Sequence, residues 1–343
     1  MSGGVDSSAC AVIIAKKQNL PAVGVTMKLT PDKTDIDFAD AKLVCEKTGI
    51  PHHVIDLCDD FKKYVTDYFI NSYLSGDTPN PCVMCNKYLK FGRLLEFADT
   101  LGCTHIATGH YARCEYDSST GKYLLRKAAD HNKDQSYFLY TLGQEQLKRI
   151  MFPIGDYRTK DEIREIAGIY ALQNAQKPDS QDICFIQNGN YIQYINEQTG
   201  IKQPCGDMVL TDGTIVGKHN GLICYTVGQR KGLGVSYRYP LYVCGKDINN
   251  NRLILGAEES LYGKRCTVKD FHSDIYDFTK PLKIKAKIRS RHEEQNATAR
   301  LVDTGTLLIE FEEAQKSFTD GQSAVLYDGE YVLGGGIIDN RLQ

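Results

Sequence analysis

Cys82 and Cys85, spaced as CxxC in NPCVMC, and Cys184 in KPDSQDICFI are the residues of this chain whose setting suggests sulfur chemistry. A thiol pair at that spacing can ligate a metal, exchange with a disulfide or attack an electrophile. Structural zinc takes four ligands, usually two such pairs, and no second CxxC occurs. A thioredoxin-like site wants the pair at a strand-to-helix junction of a small redox fold. Here Pro81 precedes it and the amphipathic NKYLKFGRLLEFADTLG follows. Cys184 follows Asp179 and Asp182 among the apolar Ile183, Phe185 and Ile186; taken alone, it reads as a core thiol.

A second constellation opens the chain. In SGGVDSS, residues 2–8, Gly3 and Gly4 let backbone N–H groups approach and wrap a phosphate, and Ser7 and Ser8 add hydroxyl donors. An apolar helix follows, whose N-terminal dipole favours an anion. No lysine follows as in GxxxxGK[ST]. A carboxylate, Asp6, sits inside the loop instead, suited to Mg²⁺ on pyrophosphate. The string resembles the pyrophosphate loop of ATP pyrophosphatases, which split ATP into AMP and pyrophosphate while adenylating a substrate oxygen. An apolar strand normally leads into that loop; none precedes Met1, so the expectation is a start downstream of the true one or a substitute strand.

The elements around these residues follow from periodicity. SACAVIIAKKQ, DFADAKLVCEKTGI and DDFKKYVTDYFINSYL read as helices, AVGVTMKL, HHVIDL and THIATGH as strands. This alternation predicts an α/β domain over residues 1–200 with a parallel sheet covered by helices. Beyond Lys202, strands and Gly- or Asp-centred turns predict a small β-rich domain over 201–261 and a β-barrel over 262–343. Net charge is -2, but Lys264–Arg300 carries ten Lys or Arg against five Asp or Glu. In KPLKIKAKIRSRH they alternate, as on a half-buried strand with one basic face, or a strip that tracks phosphates. No run approaches a membrane span, no export leader is visible, and twelve scattered cysteines fit a reducing cytoplasm.

SGGVDSS, NPCVMCNKYLKFG, IATGHYAR, NKDQSYFLY, DSQDICFI, TVGQRKGLGV, KIRSRH and GQSAVLYDGEYVLGGGII together make the chain resemble the tRNA-specific 2-thiouridylase family over essentially its full length. The resemblance implies ATP-dependent replacement of O2 of the wobble uridine by sulfur in the tRNAs for Lys, Glu and Gln, with ATP and Mg²⁺ required. It implies ATP binding by Met1, Ser2, Gly3, Gly4, Val5, Asp6, Ser7 and Ser8, with Met27 and Gly109. Cys184 would take sulfur from a cysteine desulfurase or relay protein as a persulfide and attack C2. Cys85 would attack that persulfide, or close a transient disulfide with Cys184. Asn80, Pro81 and Cys82 would meet the flipped base; His110, Lys133, Asp134, Gln135, Arg291, His292 and Gln322 would contact tRNA.

Bland roles stand beside some of these. Gln135 reads equally as a helix cap, His110 as a core histidine, and TVGQRKGLGV as a glycine-rich turn exposing Arg230 and Lys231, with tRNA sensing as its functional reading. Many relatives have aspartate where this chain has Cys82, which leaves the acid/base role open. Three thiols, Cys82, Cys85 and Cys184, could instead hold an iron–sulfur cluster with one open iron. The other readings are a different base or small molecule activated through the same loop, and an inactive tRNA-binding paralogue.

Overall fold

Apolar stretches of strand period become parallel pairs in the first half of the chain. The structure, a computed structural model, describes residues 1–169, 183–186 and 189–342. Two compact units interleave along the chain: Met1–Thr66, Cys82–Gln181 and Gly329–Val332 form one, and Asp67–Pro81, Asp182–Asp328 and Leu333–Gln343 the other. Asp179 and Asp182, which precede Cys184, lie outside the described residues.

In the first unit, β1 (Gly24–Lys28) and β2 (His52–Asp56) pair in parallel, from Gly24 opposite His52 to Lys28 opposite Asp56. A second parallel pair joins β3 (Ile106–Ala107) to β6 (Ile150–Met151). The expected parallel sheet is therefore present as two ribbons; among the described residues no strand is hydrogen-bonded to both. The Met1 ammonium donates to Val25 O of β1, and burial lowers its pKa. Helix α1 (Val5–Val12) starts at Gly4, and α2 (Ala39–Thr48) stops where Gly49 turns left-handed at φ 73°. Val5, Ala9 and Val12 of α1 bury their apolar face against Val44 of α2 and Ile163, Ile166 and Ala167 of the helix Lys160–Ile169. That packing fixes the phosphate loop at the head of α1.

The periodicity reading had no place for the hairpin of β4 (Ala112–Asp117) and β5 (Lys122–Lys127), which also belongs to the first unit. Arg126 of β5 pairs with Tyr331, Arg113 meets Glu330 at 2.8 Å, and the Tyr331 hydroxyl donates to Glu115 at 2.7 Å.

In the second unit, the helices Asp67–Leu74 and Tyr191–Thr199 share an apolar core built on Phe69, Ile70, Tyr73 and Ile195. Strands β7 (Gly206–Leu210), β8 (Ile215–His219), β9 (Tyr242–Asp247) and β10 (Arg252–Gly256) form a sheet in the order β8-β7-β10-β9. The last six strands are β11 (Tyr262–His272), β12 (Leu282–Lys287), β13 (Gln295–Asp303), β14 (Thr306–Lys316), β15 (Ser323–Asp328) and β16 (Tyr331–Ile338). They run in the order β11-β14-β13-β12-β15-β16, and β16 pairs back onto β11, which closes the predicted barrel. On β12, Ile284 and Ala286 point into the barrel core while Lys283 and Lys285 stay exposed, the alternation that the basic stretch predicts. Among the described residues no helix is long and apolar enough to cross a membrane.

Candidate active site

The amino-terminal loop is held by its own serines. Ser8 Oγ donates to Gly4 O at 2.8 Å and Ser7 Oγ to the same carbonyl at 3.0 Å, while the Ser2 N–H donates to Ser7 Oγ at 3.2 Å. Gly3 is left-handed at φ 72°, and a Cβ there would meet Asp40 Cβ at 3.1 Å. A Cβ on Gly109 would lie 2.7 Å from Asp6 C and 2.9 Å from Ser7 N. Only glycine lets the Thr108–His110 segment lie against the loop this closely. Met27, partly buried on β1, pairs with Ile55.

Asp6 is not free in this loop. Its Oδ1 accepts from the Tyr111 hydroxyl at 2.8 Å and from Lys160 Nζ in an ion pair whose lysine side chain is 9% exposed. Lys160, the first residue of its helix, also lies 5.5 Å from the Tyr111 ring centroid. The chain thus brings a cation to the loop from 154 residues away, where the local motif supplies none. Sequence reasoning missed it because no spacing rule links the two positions. Asp6 is a hard oxygen ligand of the kind that could hold a divalent cation, and Lys160 beside it is a charge that could meet phosphate.

Within the KDQ triplet, Gln135 supports the same loop. Gln135 takes the Tyr111 N–H on its Oε1 at 3.0 Å and donates its own N–H to Tyr111 O at 2.8 Å. Asp134 accepts from Ala128 N at 2.9 Å and from Ser136 Oγ at 2.7 Å. Gln135 therefore braces Tyr111, which in turn holds Asp6, and its side chain does not cap the short helix Ser136–Phe138. Lys133 is partly exposed.

His110 is buried, with Nδ1 2.8 Å from Thr108 Oγ1 and Nε2 3.3 Å from Lys90 Nζ. Burial and the Lys90 charge push its pKa well below the usual value, so it is neutral and accepts from Lys90 at Nε2. In this state it supports Lys90 from the core side. Lys90, unremarked in the sequence, also acts on Cys82. The protein around that exposed residue desolvates its thiol and raises its pKa, and the Lys90 charge pulls the other way.

Cys85 is buried at the start of the helical segment Cys85–Arg93, which continues from Pro81–Met84. Cys184, in the second unit, is exposed. Its turn is closed by Ile186 N–H to Ile183 O at 2.9 Å, and Phe185 sets its ring edge-on to Phe69 at 5.3 Å. The apolar neighbours that made Cys184 read as a core thiol are what hold its turn while the thiol itself stays outside. Cys184 is not a core residue.

Also in the second unit, residues 77–80 are fastened to the barrel. Thr78 N–H donates to Asp320 O at 2.8 Å, Gln322 Nε2 to Thr78 O at 2.8 Å and Asn80 Nδ2 to Ser323 Oγ at 3.2 Å. Arg341 pairs with Asp77 at 3.1 Å and with Asp339 at 2.9 Å. Pro81, buried, opens the next helical turn. Arg291 is exposed and His292 partly so, on a turn where His292 N–H bonds to Arg289 O and Arg289 reaches Ser317 O and Thr319 Oγ1, each at 2.8 Å. The structure thus joins Asn80 and Gln322 through one segment, and Arg291 with His292 on one turn. It gathers the loop, Gly109 and Gln135 around Tyr111.

The chain matches three family models: a tRNA methyl transferase HUP domain over residues 1–188, a tRNA methyl transferase PRC-barrel domain over 193–257 and an aminomethyltransferase beta-barrel domain over 264–338. It is 44% identical to a tRNA-specific 2-thiouridylase MnmA of Clostridioides difficile, over 100% of this chain and 97% of that protein. It is 43% identical to proteins of the same name from Caldanaerobacter subterraneus and Acetivibrio thermocellus, over 100% and 98% of this chain and 97% of each relative. A serine-locked phosphate loop, an exposed Cys184 and matches of this length together make the chain a member of the tRNA-specific 2-thiouridylase family.

Proposed function

We propose that this protein is the ATP-dependent sulfurtransferase that converts the wobble uridine of the tRNAs for Lys, Glu and Gln to 2-thiouridine, in the cytoplasm. The observation that carries the reading is the phosphate loop with a cation delivered to it, Asp6–Lys160, in a chain that exposes Cys184 and buries Cys85. Two of the matching models carry a methyl-transfer description, yet a pyrophosphate loop and paired thiols support adenylation and sulfur transfer.

ATP would bind over residues 1–8, Met27 and Gly109, with Asp6 holding Mg²⁺, which neutralises the pyrophosphate charge. O2 of the extruded uridine attacks the α-phosphorus, and pyrophosphate leaves. The terminal sulfur of a Cys184 persulfide, loaded by a cysteine desulfurase or relay protein, then attacks C2. AMP departs with the former O2. The Cys85 thiolate attacks Cys184 Sγ, breaking the S–S bond, leaving sulfur on C2 and closing a Cys85–Cys184 disulfide that a cellular dithiol reduces. Asn80, Pro81 and Cys82 would meet the base; His110, Lys133, Asp134, Gln135, Arg291, His292 and Gln322 would bind or support the tRNA.

The test is single-turnover thiolation of a tRNA-Lys transcript by anaerobically purified protein, with iron and sulfide measured in parallel. Iron-free protein that transfers sulfur from persulfide-loaded Cys184, and variants Cys184→Ala and Cys85→Ala that do not, are the expected results. Full activity in either variant overturns the roles. Iron lost together with activity in Cys82→Ala replaces the relay by a cluster.

A further inference from the structure

The loop from Thr226 to Tyr242 between the central strands carries Arg230, Lys231 and Arg238 and no acidic residue, in a chain of net charge -2. Its root is fixed. Gly228 N–H bonds to Val243 O at 2.8 Å and Val243 N–H to Gln229 O at 2.9 Å, and Gln229 Oε1 takes the Thr226 N–H at 3.1 Å. Leu233 and Leu241 are buried in the core of the small sheet. Between these two anchors, Ser236–Pro240 is exposed throughout. An ordinary exposed loop sheds large apolar area; this one displays Tyr237 and Tyr239, each 36% exposed.

Those side chains are mutually organised. The Tyr237 and Tyr239 rings meet edge-on at 4.9 Å, and the Arg238 guanidinium lies 5.6 Å and 5.5 Å from their centroids. The charge of Arg238 also acts on Asp212 in the neighbouring turn. At the other end of the loop, Gly228 is left-handed at φ 90°, and a Cβ there would lie 2.7 Å from Ser317 Oγ and 3.9 Å from Arg289 Nη2. The loop therefore starts against the barrel turn that carries Arg291 and His292.

We propose that Tyr237, Arg238 and Tyr239 form a stacking platform for an unpaired RNA base, with Arg230 and Lys231 on the adjoining phosphates, extending the RNA surface of the Arg289–His292 turn across the central sheet. The assignment rests on the tRNA reading above for the identity of the RNA. Aromatic faces held in place by an arginine suit a splayed base, which stacks without sequence-specific hydrogen bonds. The absence of acidic residues along the loop suits a polyanion.

The experiment measures binding of a fluorescent, unmodified tRNA-Lys transcript to the full chain by anisotropy at several salt concentrations, with a fully paired RNA duplex as control. The double variant Tyr237→Ala/Tyr239→Ala is expected to bind the transcript about tenfold more weakly and the duplex unchanged. Tyr237→Phe/Tyr239→Phe, which keeps both rings, restores wild-type affinity. Arg230→Gln/Lys231→Gln lowers affinity for both RNAs and flattens the salt slope. Unchanged transcript binding by the alanine variant, with melting as in wild type, overturns the platform; so does an equal loss on the duplex, whose bases expose no face. Thiouridine is read separately by mass spectrometry. Wild-type protein that binds the transcript without thiolating it removes the function and leaves the platform standing.

Discussion

Cys184 and the segment ahead of Cys82 are both presented by the second unit, but by opposite means. Ring packing holds the Cys184 turn: Phe185 sits edge-on to Phe69 and 5.3 Å from Tyr194, with Ile183 and Ile186 beside them. Residues 77–80 are held by hydrogen bonds to Asp320, Gln322 and Ser323 and by the Asp77–Arg341–Asp339 ion pairs. Apolar packing carries no charge to titrate or screen, whereas the polar staple responds to both pH and ionic strength. The exposed Cys184 thiol is thus displayed on a support that charge screening and titration do not loosen. The segment ahead of Cys82 rests on one that they can.

The largest effect expected from breaking this arrangement is chemical. Cys184→Ala should abolish 2-thiouridine formation and Cys85→Ala should nearly do so, measured by mass spectrometry of digested tRNA. An alkylating reagent applied to the folded protein should label exposed Cys184 well before buried Cys85, and equal rates would erase the contrast. Lys160→Met should come next, slowing tRNA-dependent pyrophosphate release by at least about tenfold, the scale of one charged contact to phosphate. Loading of Cys184 with persulfide should stay intact, which separates the phosphate site from the sulfur site.

Two smaller effects sharpen the comparison itself. Phe185→Ala should remove about 2–3 kcal/mol of local packing and lower the thiolation rate severalfold at every pH. Asp339→Asn should act on the other support. Burial works against the Asp339 carboxylate, but hydrogen bonds from Arg341 and Lys269 overcome it and hold its pKa at about 2. A depressed carboxylate pKa contributes stability above its ordinary value of 3.8 that is lost as pH falls toward 2. The variant should therefore unfold about 2 kcal/mol more easily at neutral pH, with the deficit closing as pH falls through that window, as read from urea midpoints. Asp77→Asn should cost less, because burial raises the Asp77 pKa despite Arg341 and Lys269, and its ionised form is already penalised. Equal losses from the two variants would show that the staple does not work as a chain of ion pairs.

What was legible in the sequence had local causes. Gly3, Gly4 and the serines of the loop bond to one another within a few residues, the stretch DFADAKLVCEKTGI holds the helix Ala39–Thr48, and the alternation in KIKAK matches β12 residue by residue. Lys160 and Tyr111 were invisible because each reaches Asp6 across more than a hundred positions, and Lys90 because its contact with His110 joins two separate elements, where no periodicity points. The same reasoning misjudged Cys184 taken alone. Apolar flanks usually bury a thiol, but here they anchor a turn too short to hide it. Gln135 was seen as either a cap or an RNA contact. Its bonds to Tyr111 add a third role that only the tertiary path of the chain creates.

The pairing of Tyr331 with Arg126 has a consequence for biosynthesis. The first unit includes Gly329–Val332, so a strand contact of β5 is made by residues about 200 positions further along the chain. At roughly 5–20 residues per second, a ribosome needs on the order of tens of seconds to deliver them. Until then the β5 edge waits open in the nascent chain, a surface that a chaperone or a neighbouring polypeptide can occupy first.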